Sequence, residues 1–225
     1  MKKLSILAFA LSAVLISCNN NSGDKASTTA EQEVAAQTGE TFVVDSASSA
    51  VKWTGYHKGG LNPRYGIVTT TGNVSVENGA VTGGEFDFDI SSLVVDESSV
   101  DPVTSGGKTA ADLAGHLKSA DFFDVEKYPS ASFKITSVAA FDATNGESVL
   151  EGATNTVSGN LTIKDKTVNV TFPAKISITD TGVNVVSKFT INRQDWGLTY
   201  GTEGDANDWM ISQGIDIELN IQAKK

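Results

Sequence analysis

Phe86, Phe88 and Ile90 lie on one side of an extended chain, and Glu85, Asp87 and Asp89 on the other. This period of two belongs to a strand with one buried face and one wet face. The three acids read as the wet face. The same alternation returns at Leu161/Ile163, Val168/Val170/Phe172, Phe189/Ile191 and Ile215/Ile217/Leu219/Ile221. Glu77-Asn78-Gly79 joins strands at 67–77 and 81–90 into a hairpin. A short aromatic strand at 51–56 precedes it. Strands at 130–141, 156–163, 167–178, 183–191 and 209–221 follow, with turns at Asn145-Gly146, Lys164-Asp165-Lys166 and Asp180-Thr181-Gly182. About eight strands with one apolar face, joined by short turns, predict an antiparallel up-and-down sheet that closes and removes its edges. The fold class is therefore all-β, an eight-stranded antiparallel barrel. Its interior is either filled by side chains or holds one small ligand.

One stretch breaks the pattern. A long polar loop over 91–107 leads to a short helix in which Thr109 caps and Asp112 completes the box. Ala110, Leu113, Ala114 and Leu117 form a single apolar stripe. Phe122 and Phe123 follow between Asp121 and Asp124, and Tyr128-Pro129 returns the chain to extended geometry. Burying one large ring stabilises by roughly 1.5–3 kcal/mol. The stretch thus reads as a helix laid on the sheet and locked by the two phenylalanines, with the two aspartates capping the turns beside them.

The N-terminus follows other rules. Lys2 and Lys3 precede an apolar run over 4–16, too short to span a bilayer comfortably. It ends Leu15-Ile16-Ser17-Cys18, which resembles a bacterial lipobox. The expected organisation is a lipoprotein signal peptide at 1–17, a lipidated Cys18 and flexible tether at 18–40, and the barrel domain at 41–225. The tether expectation rests on a run of Asn, Ser, Thr, Gln, Ala and Glu without aromatics. The single cysteine precludes an intramolecular disulfide. A formal charge of -10 without a basic stripe argues against nucleic acid. It also argues against adhesion to anionic headgroups, leaving membrane contact to the anchor. The expected location is exported, lipid-anchored to an envelope membrane, on its periplasmic face or at the cell surface.

No constellation for chemistry assembles. The two histidines, His57 and His116, lack metal-ligand spacing, so no metal or cofactor is expected. Gly106-Gly107-Lys108-Thr109 resembles the end of a phosphate loop, but Pro102 stands where its first glycine belongs. An apolar-faced barrel on a lipid tether is suited to enclosing an apolar chain. Its candidate wall is Phe86, Phe88, Phe133, Ile135, Phe172 and Phe189. The competing readings are a packed barrel serving as a non-catalytic interaction module, with a homodimer among its assemblies, and a minor hydrolase using His57 or His116 at the barrel mouth.

The residues also resemble a known family over 42–221. Val44-Asp45 with Ser48, Val51-Lys52-Trp53, the run from Asp112 to Ser119, Asp121-Phe122-Phe123-Asp124, Tyr128-Pro129 with Phe133, Gly159 to Lys164, and Arg193-Gln194-Asp195-Trp196-Gly197 are similar, in order, to the motifs of the YceI-like domain. Members are exported bacterial proteins that bind lipids and polyisoprenoids. The resemblance implies a lipocalin-like barrel with one helix in a long connection, and an apolar channel for an isoprenoid or similar amphiphile. It makes Arg193 a candidate polar residue, paired with Asp195 or Asp124 or facing a ligand head. The loop at 59–64 departs from the family pattern.

Overall fold

The computed structural model describes residues 22–145, 148–202 and 211–225. Cys18, Gly146 and Trp209 lie outside them. Two short strands come first, β1 (Asp24–Lys25) and β2 (Ser27–Thr29). The first barrel strand follows in two pieces, β3 (Glu40–Val44) and β4 (Ala50–His57). Then come β5 (Leu61–Glu77), β6 (Ala80–Val95), β7 (Ser130–Ala140), β8 (Asn155–Ile163), β9 (Lys166–Ile178), β10 (Gly182–Asn192) and β11 (Gly214–Lys224). Each of β4 to β11 pairs antiparallel with the next, and β11 pairs antiparallel with β4, so the sheet closes as an eight-stranded barrel. The β5–β6 turn carries Asn78 at φ 52° and Gly79 at φ 76°. Both are left-handed, the geometry a two-residue hairpin loop requires.

The predicted loop at 91–107 is shorter than expected, because β6 runs on to Val95. The pairing slips between Thr69↔Asp89 and Ile67↔Val94, an irregularity spanned by Ser91 and Ser92. Ser92 Oγ donates to Asp89 O at 2.6 Å, and Thr69 N donates to Ser92 Oγ at 2.9 Å. After the slip Leu93 and Val95 turn inward on a shifted phase, which hides them from a period-two reading. They pack beneath α1 (Ala110–Lys118), whose Thr109–Asp112 capping box is formed.

The tether expected from Asn19 onward is replaced, from Ser22, by a strap seated on the barrel. Strands β9 and β10 pair with each other only at Ala174–Ile178 and Val183–Ser187, and toward the α1 end they splay. There β1 pairs with Phe189 and Thr190 of β10, while β2 pairs with Asn169 to Thr171 of β9. Ala26 is buried between them. The strap then crosses the outside of the wall. Gln32 N donates to Asn160 Oδ1 at 3.1 Å, Ala35 N to Ile135 O at 3.0 Å, and Thr38 N to Thr82 Oγ1 at 3.3 Å. The physical reason is that splayed strand edges offer unpaired N–H and C=O groups, which a polar segment can satisfy with its main chain.

Candidate functional site

The barrel interior holds a row of four phenylalanines from different strands. Phe86 and Phe133 have centroids 6.4 Å apart, Phe133 and Phe172 5.8 Å, and Phe172 and Phe189 stack at 4.0 Å. Gly159 of β8 lies beside the row, and a Cβ there would fall 2.2 Å from Phe133 Cζ. At the end carrying the β5–β6 turn, Phe42, Val44, Val76, Val183 and Ala223 are buried against one another and close the barrel.

Between this plug and α1 lies a cavity of about 290 Å³. That is near the lower end of small-ligand pockets, roughly 300–1,000 Å³. All six wall candidates, Phe86, Phe88, Phe133, Ile135, Phe172 and Phe189, line it. Phe122 and Phe123 also line it, together with Leu113 and Leu117 from α1, so the helix and the phenylalanine pair form its roof. Lys164 Nζ donates to Phe122 O at 3.1 Å and ties this roof to the β8–β9 turn. Among the described lining residues the polar side chains are Tyr56, His57, Asn62, Arg64 and Arg193, with the Trp53 indole N–H beside them. They gather at the α1 end. Asn62 is exposed and Tyr56, His57 and Arg64 are half-buried, so the cavity opens at this end.

The structure separates the two histidines. His57 lines the cavity and faces an amide, with Asn62 Nδ2 3.1 Å from its Nδ1. Burial, and then the Arg64 charge, lower its pKa and keep it neutral. His116 Nε2 sits 3.0 Å from Asp121 Oδ2, and its ring packs edge-on to Phe122 and Tyr200. It stands outside the cavity lining and holds the roof segment in place. Thus, among the described residues, the histidine that lines the cavity has no carboxylate beside it, and the one with a carboxylate does not line it. Among the described residues no three His, Cys, Asp or Glu side chains converge as a metal site.

Arg193 differs from its expected pairing. Its partners are carbonyls: Nε donates to Ser212 O at 3.0 Å, Nη1 to Leu198 O at 2.5 Å and Nη2 to Ile211 O at 3.3 Å. Neither Asp195 nor Asp124 pairs with it; Asp124 instead takes φ 51° in the turn after the phenylalanines. Arg193 is buried, and that burial lowers its pKa. It stitches the β10 end to the segment before β11. Sequence reasoning missed Trp53 and Arg64 as cavity groups, although Trp53 lies in a quoted motif and Arg64 in the divergent loop. It also missed Asp216, which is buried on the outer face of β11. Asp216 accepts from Ser22 N at 2.8 Å, Ser22 Oγ at 2.9 Å, Tyr56 OH at 2.9 Å and Thr190 Oγ1 at 2.5 Å. It clasps the strap to the open end.

Residues 42–223 match the model of the YceI-like domain. The chain belongs to the YceI-like family. Among the relatives of this YceI-like protein are UPF0312 proteins of Pseudomonas putida. They are 30% identical over 149 residues, covering 63% of this chain and 69% of theirs. Among solved structures, BcnA of Burkholderia cenocepacia superposes with a TM-score of 0.59 at 20% identity, covering 80% of this chain and 99% of that one. A polyisoprenoid binding domain from Saccharophagus degradans, described as implicated in plant cell wall breakdown, gives 0.54 at 14% identity, covering 85% and 99%. At these identities the two structures speak for the barrel fold. The family model begins at Phe42, after the strap, so the strap lies outside the matched region.

Proposed function

We propose that this YceI-like protein holds an isoprenoid or other long-chain amphiphile in its barrel, as a carrier or store, and that a lipid on Cys18 attaches it to an envelope membrane. The cavity carries the first part. A closed barrel packed to the usual interior density has few voids larger than a water molecule, whereas this one keeps about 290 Å³ between an apolar wall and a polar rim. Each buried methylene of a ligand chain contributes about 0.8 kcal/mol. The relative described as polyisoprenoid-binding supports this ligand class. The cavity also favours a carrier over a packed interaction module.

The strap supports the anchored reading. It reaches the barrel at Ser22, held by Asp216 at the end where the cavity opens. Ser22 lies four positions after Cys18, a reach of at most about 14 Å when extended. A lipid on Cys18 would therefore hold the opening close to the bilayer, so that an apolar chain could pass between the two.

Titration of purified, delipidated protein with a fluorescent polyene fatty acid tests the cavity. Saturable binding near one per chain is expected. Val157→Trp, which projects from β8 into the space, should abolish it while the circular dichroism spectrum stays unchanged. Binding that survives the blocking residue would count against a ligand in the barrel. Labelling of cells with palmitate tests the anchor, since incorporation should disappear in Cys18→Ala.

A further inference from the structure

We propose that the seam between β9 and β10 is a second, lateral opening of the cavity, and that the strap is the removable stave that closes it, so that a ligand chain enters and leaves when residues 22–29 lift. This rests on the cavity holding an amphiphile, and adds the path by which the amphiphile is exchanged.

The seam begins at a proline. Ala174 O accepts from Thr154 N on the β8 side. Successive residues of a strand turn their main-chain groups to opposite sides, so Pro173 faces β10. It has no N–H to give, and its carbonyl accepts from Ser187 Oγ at 2.6 Å. Pairing between the two strands ends there, with Ala174 opposite Ser187. Next along the seam the Phe172 and Phe189 rings stack across it at 4.0 Å. Val170 of β9 and Ile191 of β10 follow, one on each side. All four of these apolar side chains line the cavity.

The strap fills the gap from outside. β1 runs parallel to β10 and β2 antiparallel to β9, so residues 24–29 form one extended run with a strand on either side. Neighbouring strands lie about 4.8 Å apart, which sets the flanks of this run about 10 Å from each other. A hydrocarbon chain is narrower than the peptide strand it would pass in place of. Ala26 packs into the same core as Val170, Phe172 and Phe189, yet the strap supplies none of the described cavity lining. Its hold is slight beside that of the barrel staves. β1 has two residues and β2 three, whereas β10 and β11 have eleven each. Ser27, Thr28 and Thr29 are exposed. Short, exposed pairing with little buried apolar surface is what opens first in a folded protein. Polar clasps hold the near end: Asp216 takes Ser22, and Asp24 accepts from Ser148 Oγ at 2.5 Å and Val149 N at 3.0 Å. At the far end Gly39, at φ 87°, turns the chain into β3. The β9–β10 pairs toward the plug keep the barrel closed without the strap.

The test is a disulfide lock. Ser27 lies opposite Thr171, which is outside the cavity lining. Opposed residues in an antiparallel pair have Cα atoms about 4.5–5.5 Å apart, within the span of a disulfide. Ser27→Cys/Thr171→Cys is made in the full chain with Cys18→Ala, which removes the remaining thiol. Uptake and release of the fluorescent polyene fatty acid are followed by stopped flow, with the bond formed and after its reduction. The bond should slow both rates about ten-fold or more and leave Kd within about two-fold, because a gate changes the barrier and not the end states. Reduction should restore both rates, and Asp216→Ala, which unfastens the strap, should raise both. Ser158→Cys/Thr171→Cys ties β8 to β9, which are already paired, and should leave both rates unchanged. Equal rates with and without the strap bond, or equal slowing by the β8–β9 bond, overturn the lateral opening and leave the cavity reading standing. Failure of the fatty acid to bind either form overturns the cavity reading, and the lateral opening with it.

Discussion

Gly159 shows how narrowly the wall is fitted. A methyl group there would meet the Phe133 ring at 2.2 Å, so Gly159→Ala must turn the ring toward the cavity. The expected cost is about 1–3 kcal/mol, read as a lower urea midpoint, and Phe133→Leu in the same chain should recover much of it. An unchanged midpoint would mean that the ring is not held there. Tyr56 supplies a second test at this scale. Burial first, and then the Asp216 carboxylate, push its pKa from 10.0 up to about 12. Because the folded value lies above the unfolded one, the stabilisation is fully present below pH 10 and is lost as pH rises toward 12. Tyr56→Phe should flatten stability over that interval, measured by denaturant unfolding at pH 9 and pH 11.5. At the same scale Arg193 marks a limit of sequence reading. A buried guanidinium needs acceptors, and acids close in sequence were the visible candidates. The acceptors used are main-chain oxygens of Leu198, Ile211 and Ser212, whose positions depend on the fold.

Among the elements, the strap was hidden and the helix was plain. Thr109, Asp112 and a single apolar stripe announce α1 because capping and burial act through side chains. The strap binds through its main chain. Gly23 lies so close to β10 that a Cβ would fall 2.6 Å from the Phe189 carbonyl carbon, and β2 adds three residues of pairing to β9. Its small polar composition is the same whether the segment is solvated or laid on a strand edge, so composition cannot distinguish the two. Asp216→Ala tests the clasp. It leaves Ser22, Tyr56 and Thr190 donors without their acceptor, at an expected cost of about 1–3 kcal/mol. Amide exchange at Ala26 and Thr28 should speed up, while amides of the β5–β6 hairpin keep their protection. Uniform exchange throughout the chain would show that the strap and barrel open as one unit. The end of β6 was obscured for another reason, since the slip at Ser91 and Ser92 shifts the phase of alternation before Leu93 and Val95.

For the whole molecule, the closed barrel was legible because period-two alternation and short turns leave an antiparallel sheet few other ways to bury one face. The hollow was not. Phe86, Phe133 and Phe172 would serve a filled core equally well, and the space depends on where the plug at Phe42 and Val44 stops and the roof at Phe122 and Phe123 begins. Those are distances between elements remote in sequence. The rim was obscured in the same way, because Arg64 comes opposite Gly55 only through the β4–β5 register. The strap brings Ser22, four positions after Cys18, to the side on which the cavity opens. Shortening or lengthening residues 19–21 should therefore alter ligand exchange with vesicles more than ligand affinity in solution. The most direct test of the central claim is mass spectrometry of an organic extract from the full-length protein, purified from the cells in which it is made. The account predicts a long-chain amphiphile, near one per barrel and absent from the Val157→Trp variant. An extract with no bound chain, from protein that also fails to take one up after delipidation, would contradict it.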